Sequence, residues 1–528
     1  MRIYITIFLV LLAVEARPYG TKPRHIAADS VWLLELQDKF ERVDSVFSNA
    51  GWVLYTTGIS PDIPRKYARE GGEIIFSRYG RKRLDRIQGE FGTPELNRVA
   101  RLIYIKILTE QNRYTADTYR LKSSIMETFI NYRAEFEGED RTGNYFRRLM
   151  REESDRERRR RAWYANTLIG SDIAPKLRKL IKKRNRLARE CDADDFYEFQ
   201  LGGMGMTVDN LFMVLDKLDS LTREPYLQIL QKRKIKLGLE AVEPWDFPYI
   251  SDTLALVFDS YFKKDSLMSV LNRTMTGLGY DMDNLALQYD LEPRPGKIQG
   301  AFCFPIKVPD DIRILANIDD GYLSYRTLFH EFGHALHYLY IDQPYYTLRG
   351  SPAGCFAEAM ASINEAILHQ PEWLMKYSGV PDSILSPILD LMHDARIAGL
   401  RFALVNVYFE RELYRTDAEN PTELYWDMYE RFTFGARHDD VALWALIHHY
   451  TDRPVYVHNY ILAGLIAAQT FAYLERINGT VIDNKATSEF LINNYFKPGA
   501  SKDWFELIEV ATGEPLNARF FIEDLLGK

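Results

Sequence analysis

Cysteine is scarce in this chain: Cys191, Cys303 and Cys355 are the only three among 528 residues. Three thiols close at most one disulfide, which excludes a disulfide-stapled scaffold. None stands in a Cys-x-x-Cys pair, so metal or redox chemistry built on that spacing is excluded too. Long apolar runs are missing beyond one at the N-terminus, from Ile3 to Val14. That run follows Arg2 and ends at Ala16 with Val14 two residues before it, the layout of a cleavable secretory signal. It is shorter than the roughly 20 residues that span a bilayer. The expected mature protein therefore begins after residue 16, is secreted (periplasmic if the host is bacterial) and has no membrane span. Excess charge of one sign is absent as well. The formal net charge is −7, and basic runs are interleaved with acids, as in REESDRERRRR from Arg151 to Arg161. No recognised module or aromatic-laced basic patch marks a nucleic-acid partner. Pro/Gly/Ser-rich linkers and fixed-period repeats are lacking, so residues 17–528 read as one large unit with room for two lobes. Two Asn-x-Thr sequons, at Asn272 and Asn478, could carry glycans in an exported protein.

What is present is helical patterning. Apolar residues recur at three and four spacing from about Ser30 to Leu239: Leu33, Leu36, Phe40, Val43 and Phe47; then Leu102, Ile105 and Leu108; then Leu177, Leu180, Ile181 and Leu187. The pattern returns beyond Tyr325 and persists nearly to the C-terminus. Between Pro293 and Gly321 the texture changes, with Gly296, Gly300 and Pro305 as punctuation and Ile312 to Asn317 favouring a strand. The expected fold is mostly α, with a small sheet just ahead of the helix that carries the chemistry.

That helix is TLFHEFGHALHYLY, Thr327 to Tyr340. His330 and His334 lie four residues apart, just over one turn, so both imidazoles leave the same face. Such a pair supplies two corners of a tetrahedral zinc site on a rigid backbone. Glu331 follows the first histidine and cannot point the same way. It can reach a water at the open corner, where a general base is needed. His337 shares the face and is the rival ligand. It reads instead as a packed histidine, because Glu331 has its expected placement only when His330 and His334 bind the metal.

A catalytic zinc needs a third protein ligand and one vacancy. A second helix, AGCFAEAMASINEAIL from Ala353 to Leu368, offers Glu358, 24 residues beyond His334 with the RGSPAG turn between. A carboxylate on a helix this apolar is costly unless paired or metal-bound. Glu358, Ser362 and Glu365 share one face, which makes Glu365 a candidate to accept a hydrogen bond from a ligand imidazole.

With these residues the chain resembles the gluzincin peptidases of the angiotensin-converting-enzyme family and the related thimet oligopeptidase and oligoendopeptidase F group. The stretches Ala50 to Thr57, Ala162-Trp163 with Gly170 and Arg184-Asn185, and Arg349-Gly350 leading to Phe356–Ala359 look like the converting-enzyme side. Pro295–Cys303, His330–His337 and Glu358–Glu365 look like the oligoendopeptidase side. The resemblance spans nearly the whole mature chain and leans slightly to the converting enzymes. It departs from their pattern at His458 and Asn459, where an arginine and a tyrosine are expected, and at Ser362, which replaces a carboxylate.

The resemblance implies a two-lobed helical clamshell around a deep peptide cleft and one zinc ion per chain. It further implies that strand Ile312–Asn317 edges the cleft, with Ile314 and Ala316 binding substrate backbone by strand addition. The segment His449–Tyr460 resembles the one that supplies transition-state donors. His449 and Tyr460 are the expected donors and Tyr456 a substrate-binding residue; Tyr456 and Tyr460 are expected on one helical face. Short peptides are the implied partners. The leading expectation is a peptidyl-dipeptidase or carboxypeptidase-like enzyme acting near peptide C-termini. An oligoendopeptidase is the enzymatic alternative, and a secreted peptide-binding protein without turnover the alternative from another class.

Overall fold

The computed structural model describes residues 23–527, apart from residues 60, 62–66, 68–69, 72, 74–79, 81, 85–92, 114–115, 250–252 and 299. The expected signal, residues 1–16, lies outside the described residues. In chain order the elements that bear on function are helices α1 (Pro23–Thr57), α2 (Pro94–Arg113), α3 (Ala116–Asn131) and α4 (Ile169–Arg189). Strands β1 (Leu287–Asp290), β2 (Phe302–Lys307) and β3 (Asp311–Leu315) follow. Helices α5 (Tyr322–Leu339), α6 (Gly354–Ala366), α7 (Asp382–Arg415), α8 (His449–Asp452) and α9 (His458–Asn478) complete the set. A short hairpin of Ala134–Phe136 and Glu139–Arg141 forms a second, two-stranded sheet. The fold is mostly helical, as the periodicity implies, and no described helix is long and apolar enough to cross a membrane.

The chain divides into two compact units. The first takes residues up to Gln111, Asp259–Leu385 and Leu462–Phe521; the second takes Asn112–Phe258, Ser386–Ile461 and the residues from Ile522 onward. In the first unit α1 buries Leu33, Leu36, Phe40 and Val43 against Val99, Ala100, Ile103 and Ile107 of α2. Two details differ from the sequence reading. Phe47 is 43% exposed, and α2 buries Ile103 and Ile107 while Leu102, Ile105 and Leu108 are only partly covered. The buried stripe runs through Ile103 and Ile107 because α2 is apolar on more than one side. Arg98 of α2 reaches residues far along the chain, donating from Nε to the Ala500 carbonyl at 3.0 Å and from a terminal nitrogen to Asp503 at 2.5 Å.

The three-stranded sheet has the order β1-β3-β2, with β3 parallel to β1 and antiparallel to β2. This corrects the expectation for Ile314 and Ala316. Strand β3 is central, so Ile314 already faces Tyr289 on one side and Cys303 on the other. The Ala316 amide donates to Asp290 O at 3.0 Å, and its carbonyl accepts from Lys297 Nζ at 2.6 Å. Backbone groups spent on neighbours cannot also pair with a peptide. Among the described residues the strand lying at the edge near the motif is β2. Its Phe302 and Phe304 pack edge-on against Tyr55 and Trp52 of α1, at 5.2 and 5.7 Å between ring centroids.

Helix α5 starts after Gly321, whose φ of +113° suits glycine. The Asp259 carboxylate accepts from the Tyr322 amide at 3.0 Å and satisfies one of the free donors of the first turn. Tyr325, Leu328, Phe329, Phe332, Ala335 and Leu336 are all buried at helical spacing. Helix α6 packs against α5 at backbone contact: a Cβ on Gly333 would lie 2.6 Å from Met360 O and 2.7 Å from Ala361 Cα. Buried Asn364 ties the pair together by donating to Phe329 O at 2.6 Å.

The second unit has α4 in its core, with Ile173, Leu177, Leu180 and Ile181 buried. Leu187 is half-buried, and the polar pair Arg184 and Asn185 occupies the inner face instead. Cys191, Cys303 and Cys355 are all free.

Candidate metal centre

The close contact at Gly333 decides what faces what. It lets α6 lie so near α5 that Glu358 Oε2 sits 3.4 Å from His330 Nε2 and 3.7 Å from His334 Nε2. The three donor atoms fall within 4.8 Å of one another. Zinc–imidazole bonds of about 2.0–2.1 Å in tetrahedral geometry space neighbouring donors roughly 3.4 Å apart, so this donor set fits such an ion. Glu358 is 3% exposed, and a carboxylate that deep calls for a cation.

Around the three donors the charges are arranged to favour that cation. Glu365 Oε2 lies 3.2 Å from His330 Nδ1, and Arg326 Nε donates to Glu365 Oε1 at 2.6 Å. Burial alone would raise the Glu365 carboxyl, but the Arg326 and His330 charges hold it at about 2. It is therefore ionised and fixes the ring orientation of His330. Burial alone would depress His330, yet hydrogen bonds to Glu358 and Glu365 and the charge on Glu331 carry it up to about 10. A divalent ion held by His330, His334 and Glu358 would take the place of the His330 proton.

Glu331 is buried on α5. Its charge adds to burial in pushing the Cys303 thiol of β2 well above its ordinary value. The general-base candidate thus has the edge strand beside it. His337 lies apart from the donor set. It is 1% exposed and packs among Tyr338, Phe356 and Phe496, with ring centroids 5.6, 5.9 and 5.8 Å away. Burial holds it down at about 3, so it is a neutral, packed ring.

In the second unit His449, Tyr456 and Tyr460 form their own cluster. His449 Nε2 is 3.4 Å from Tyr460 Oη, and the Tyr456 and Tyr460 rings meet at 5.6 Å. Tyr456 precedes α9, so a turn and not a shared helical face brings the two phenols together. Two buried groups hold the segment. Arg184 donates to the carbonyls of Tyr450 and Thr451 at 2.6 and 2.7 Å. Glu410 Oε1 accepts from the Val455 amide at 2.7 Å, where Val455 has a φ of +56° that a β-branched residue rarely adopts. His458 and Asn459 point inward and are 1% and 2% exposed. Burial keeps His458 at about 3, with Met204 Sδ 3.4 Å from Nε2.

The sequence reading missed Arg326, Gly333, Asn364 and the Arg184–Glu410 pair. Gly333 carried a signal, since glycine inside a helix is unfavourable unless something must come close. Arg326, one turn before His330, carried none that separates it from a solvated arginine.

The model of peptidase family M3 matches residues 149–278 and 284–525. This chain belongs to peptidase family M3. Family M3 peptidases are zinc metallopeptidases, so the chain is a hydrolase of peptide bonds, on the oligoendopeptidase side of the resemblance read from the sequence. PZ peptidase A with inhibitor 2 superposes with a TM-score of 0.70 at 15% identity, covering 97% of each chain. A putative oligoendopeptidase F gives 0.69 at 16% identity, again over 97% of each. An M32 carboxypeptidase from Deinococcus radiodurans R1 gives 0.65 at 15%, over 95% of this chain and 98% of the other. At these identities the structures speak for the fold alone. No curated protein matches the chain by sequence.

Proposed function

We propose that this M3 peptidase hydrolyses short peptides, with His330, His334 and Glu358 holding one zinc ion and Glu331 acting as general base. The convergence of two imidazoles and a buried carboxylate within 4.8 Å carries the reading. Bound by His330, His334 and Glu358, zinc would supply Lewis acidity to the scissile carbonyl and to the attacking water. Glu331 then takes a proton from the attacking water and delivers it to the leaving amine nitrogen. By the resemblance read from the sequence, His449 and Tyr460 are the proposed oxyanion donors and Tyr456 a proposed peptide-binding residue. Glu365, held by Arg326, keeps the His330 ring in register.

Substrate backbone pairs with the edge strand β2 in this proposal, because β3 has both sides occupied. Replacing Glu331 by Gln is expected to leave zinc stoichiometry at one per chain while lowering kcat at least a thousandfold. Normal turnover in that variant would remove Glu331 from the mechanism.

Cleavage within short peptides is the mode favoured by the family. Release of C-terminal dipeptides, the converting-enzyme mode, draws support from the converting-enzyme-like stretches of the sequence. Against it stands the inward, uncharged placement of His458 and Asn459, which offer no cation for a substrate carboxylate. Mass spectrometry of fragments from one decapeptide separates the two, since a ladder of C-terminal dipeptides arises only in the second. We also propose export, motivated by the Arg2–Ala16 pattern. N-terminal sequencing of mature protein beginning elsewhere than residue 17 would count against it.

A further inference from the structure

Helices α3 and α4 of the second unit enclose an open groove of about 680 Å³. Its walls carry Arg120, Lys179, Lys182, Lys183 and Arg186, against a single acid, Asp117. Lys183 is paired with Asp117 at 2.8 Å. Arg120, Lys179, Lys182 and Arg186 are exposed, and no ion pair neutralises them among the described residues. Four uncompensated cations in one groove oppose the chain's formal net charge of −7. Mutual repulsion makes such a cluster unfavourable by itself, and a polyanion relieves it.

The spacing says what kind of polyanion. Positions 179, 182, 183 and 186 recur on one face of α4 and span about 10 Å at ~1.5 Å per residue. One phosphate cannot meet charges spread over that length, whereas a linear chain of anionic groups can. Among the described residues the only apolar one lining the groove is Leu121, so none of them offers an aromatic ring for bases to stack on, as single-stranded nucleic acid binding needs. A concave groove also suits a strand better than the flat face of a bilayer. Lys179 and Lys182 present compact single charges and Arg120 and Arg186 forked donors, a mixed row that can pair with single-charge sulfates set along a sugar chain.

We propose that the α3–α4 groove is a docking site for a linear sulfated polysaccharide. The site involves none of the groups assigned to peptide hydrolysis, so it stands whether or not that mechanism does.

Calorimetric titration of the full chain with a heparin-derived hexasaccharide tests it. Saturable binding that high salt abolishes is expected. The triple variant K179E/K182E/R186E is expected to weaken it at least tenfold, with the fold and peptide turnover retained because these side chains are exposed and form no ion pair among the described residues. Absent binding by the native chain, or binding by the variant within twofold of native, overturns the proposal. So does tighter binding of inorganic polyphosphate, a thymidylate homopolymer or phosphatidylserine vesicles, which would assign the groove to another class of anion.

Discussion

Glu410 shows how one buried side chain couples acidity to architecture. It is 1% exposed, and burial raises its carboxyl to about 8 despite the Val455 amide and the Arg184 charge, from an ordinary 4.5. The folded chain therefore binds a proton there that the unfolded chain has lost between those two values. Stability drawn from Glu410 is complete below about pH 4.5 and declines as pH rises to about 8. Replacement by Gln, which keeps an acceptor and cannot ionise, should move the melting temperature upward relative to native by ~2 °C or more between pH 5 and pH 8. A difference that stays constant across that interval would mean that Glu410 is ionised in the fold. The His449–Tyr460 segment was legible as a motif, but its supports were not. Arg184 and Glu410 are 45 to 267 positions from the atoms they hold, and no local pattern encodes such pairings.

Helices and strands differ in how much of them a sequence discloses. The imidazole pair of α5 and the carboxylate of α6 were readable because helical spacing is a local property. That β3 exists was readable for the same reason. Its place in the middle of the sheet was not, since strand order depends on partners elsewhere in the chain. The α5–α6 separation rests on Gly333, so Gly333→Ala is the sharpest test of the centre. The added methyl would meet backbone at 2.6 and 2.7 Å, and overpacking of this kind costs about 1–3 kcal/mol. Because the helices must part, we expect zinc affinity to fall at least tenfold along with kcat/KM, measured by competition with a chelating dye. Unaltered zinc affinity would show that the helices adjust without moving Glu358.

At the scale of the whole molecule, every proposed zinc ligand lies in the first unit. Ligand binding stabilises whatever fold it requires, by about 2.7 kcal/mol at a hundredfold excess over Kd. Chelation should accordingly speed amide exchange in α5 and α6 while leaving α4 and the core of α7 unchanged, as read by hydrogen exchange with mass spectrometry. Equal acceleration everywhere would mean that the metal stabilises both units alike. The absence of any linker in the sequence also finds its reason here. The unit boundaries after Gln111, Leu385 and Ile461 fall inside α2, α7 and α9, where composition has no cause to change.

The bonds from Arg98 to Ala500 and Asp503 join residues about four hundred positions apart. On the ribosome, the opening hundred residues thus emerge long before the segment they will embrace has been translated. Synthesis at roughly 5–20 residues per second leaves the α1–α2 pair waiting for tens of seconds without the partners that Arg98 will bind. During that interval the nascent protein is a natural client for holding chaperones, and its first unit can close only once Ala500 and Asp503 have been made.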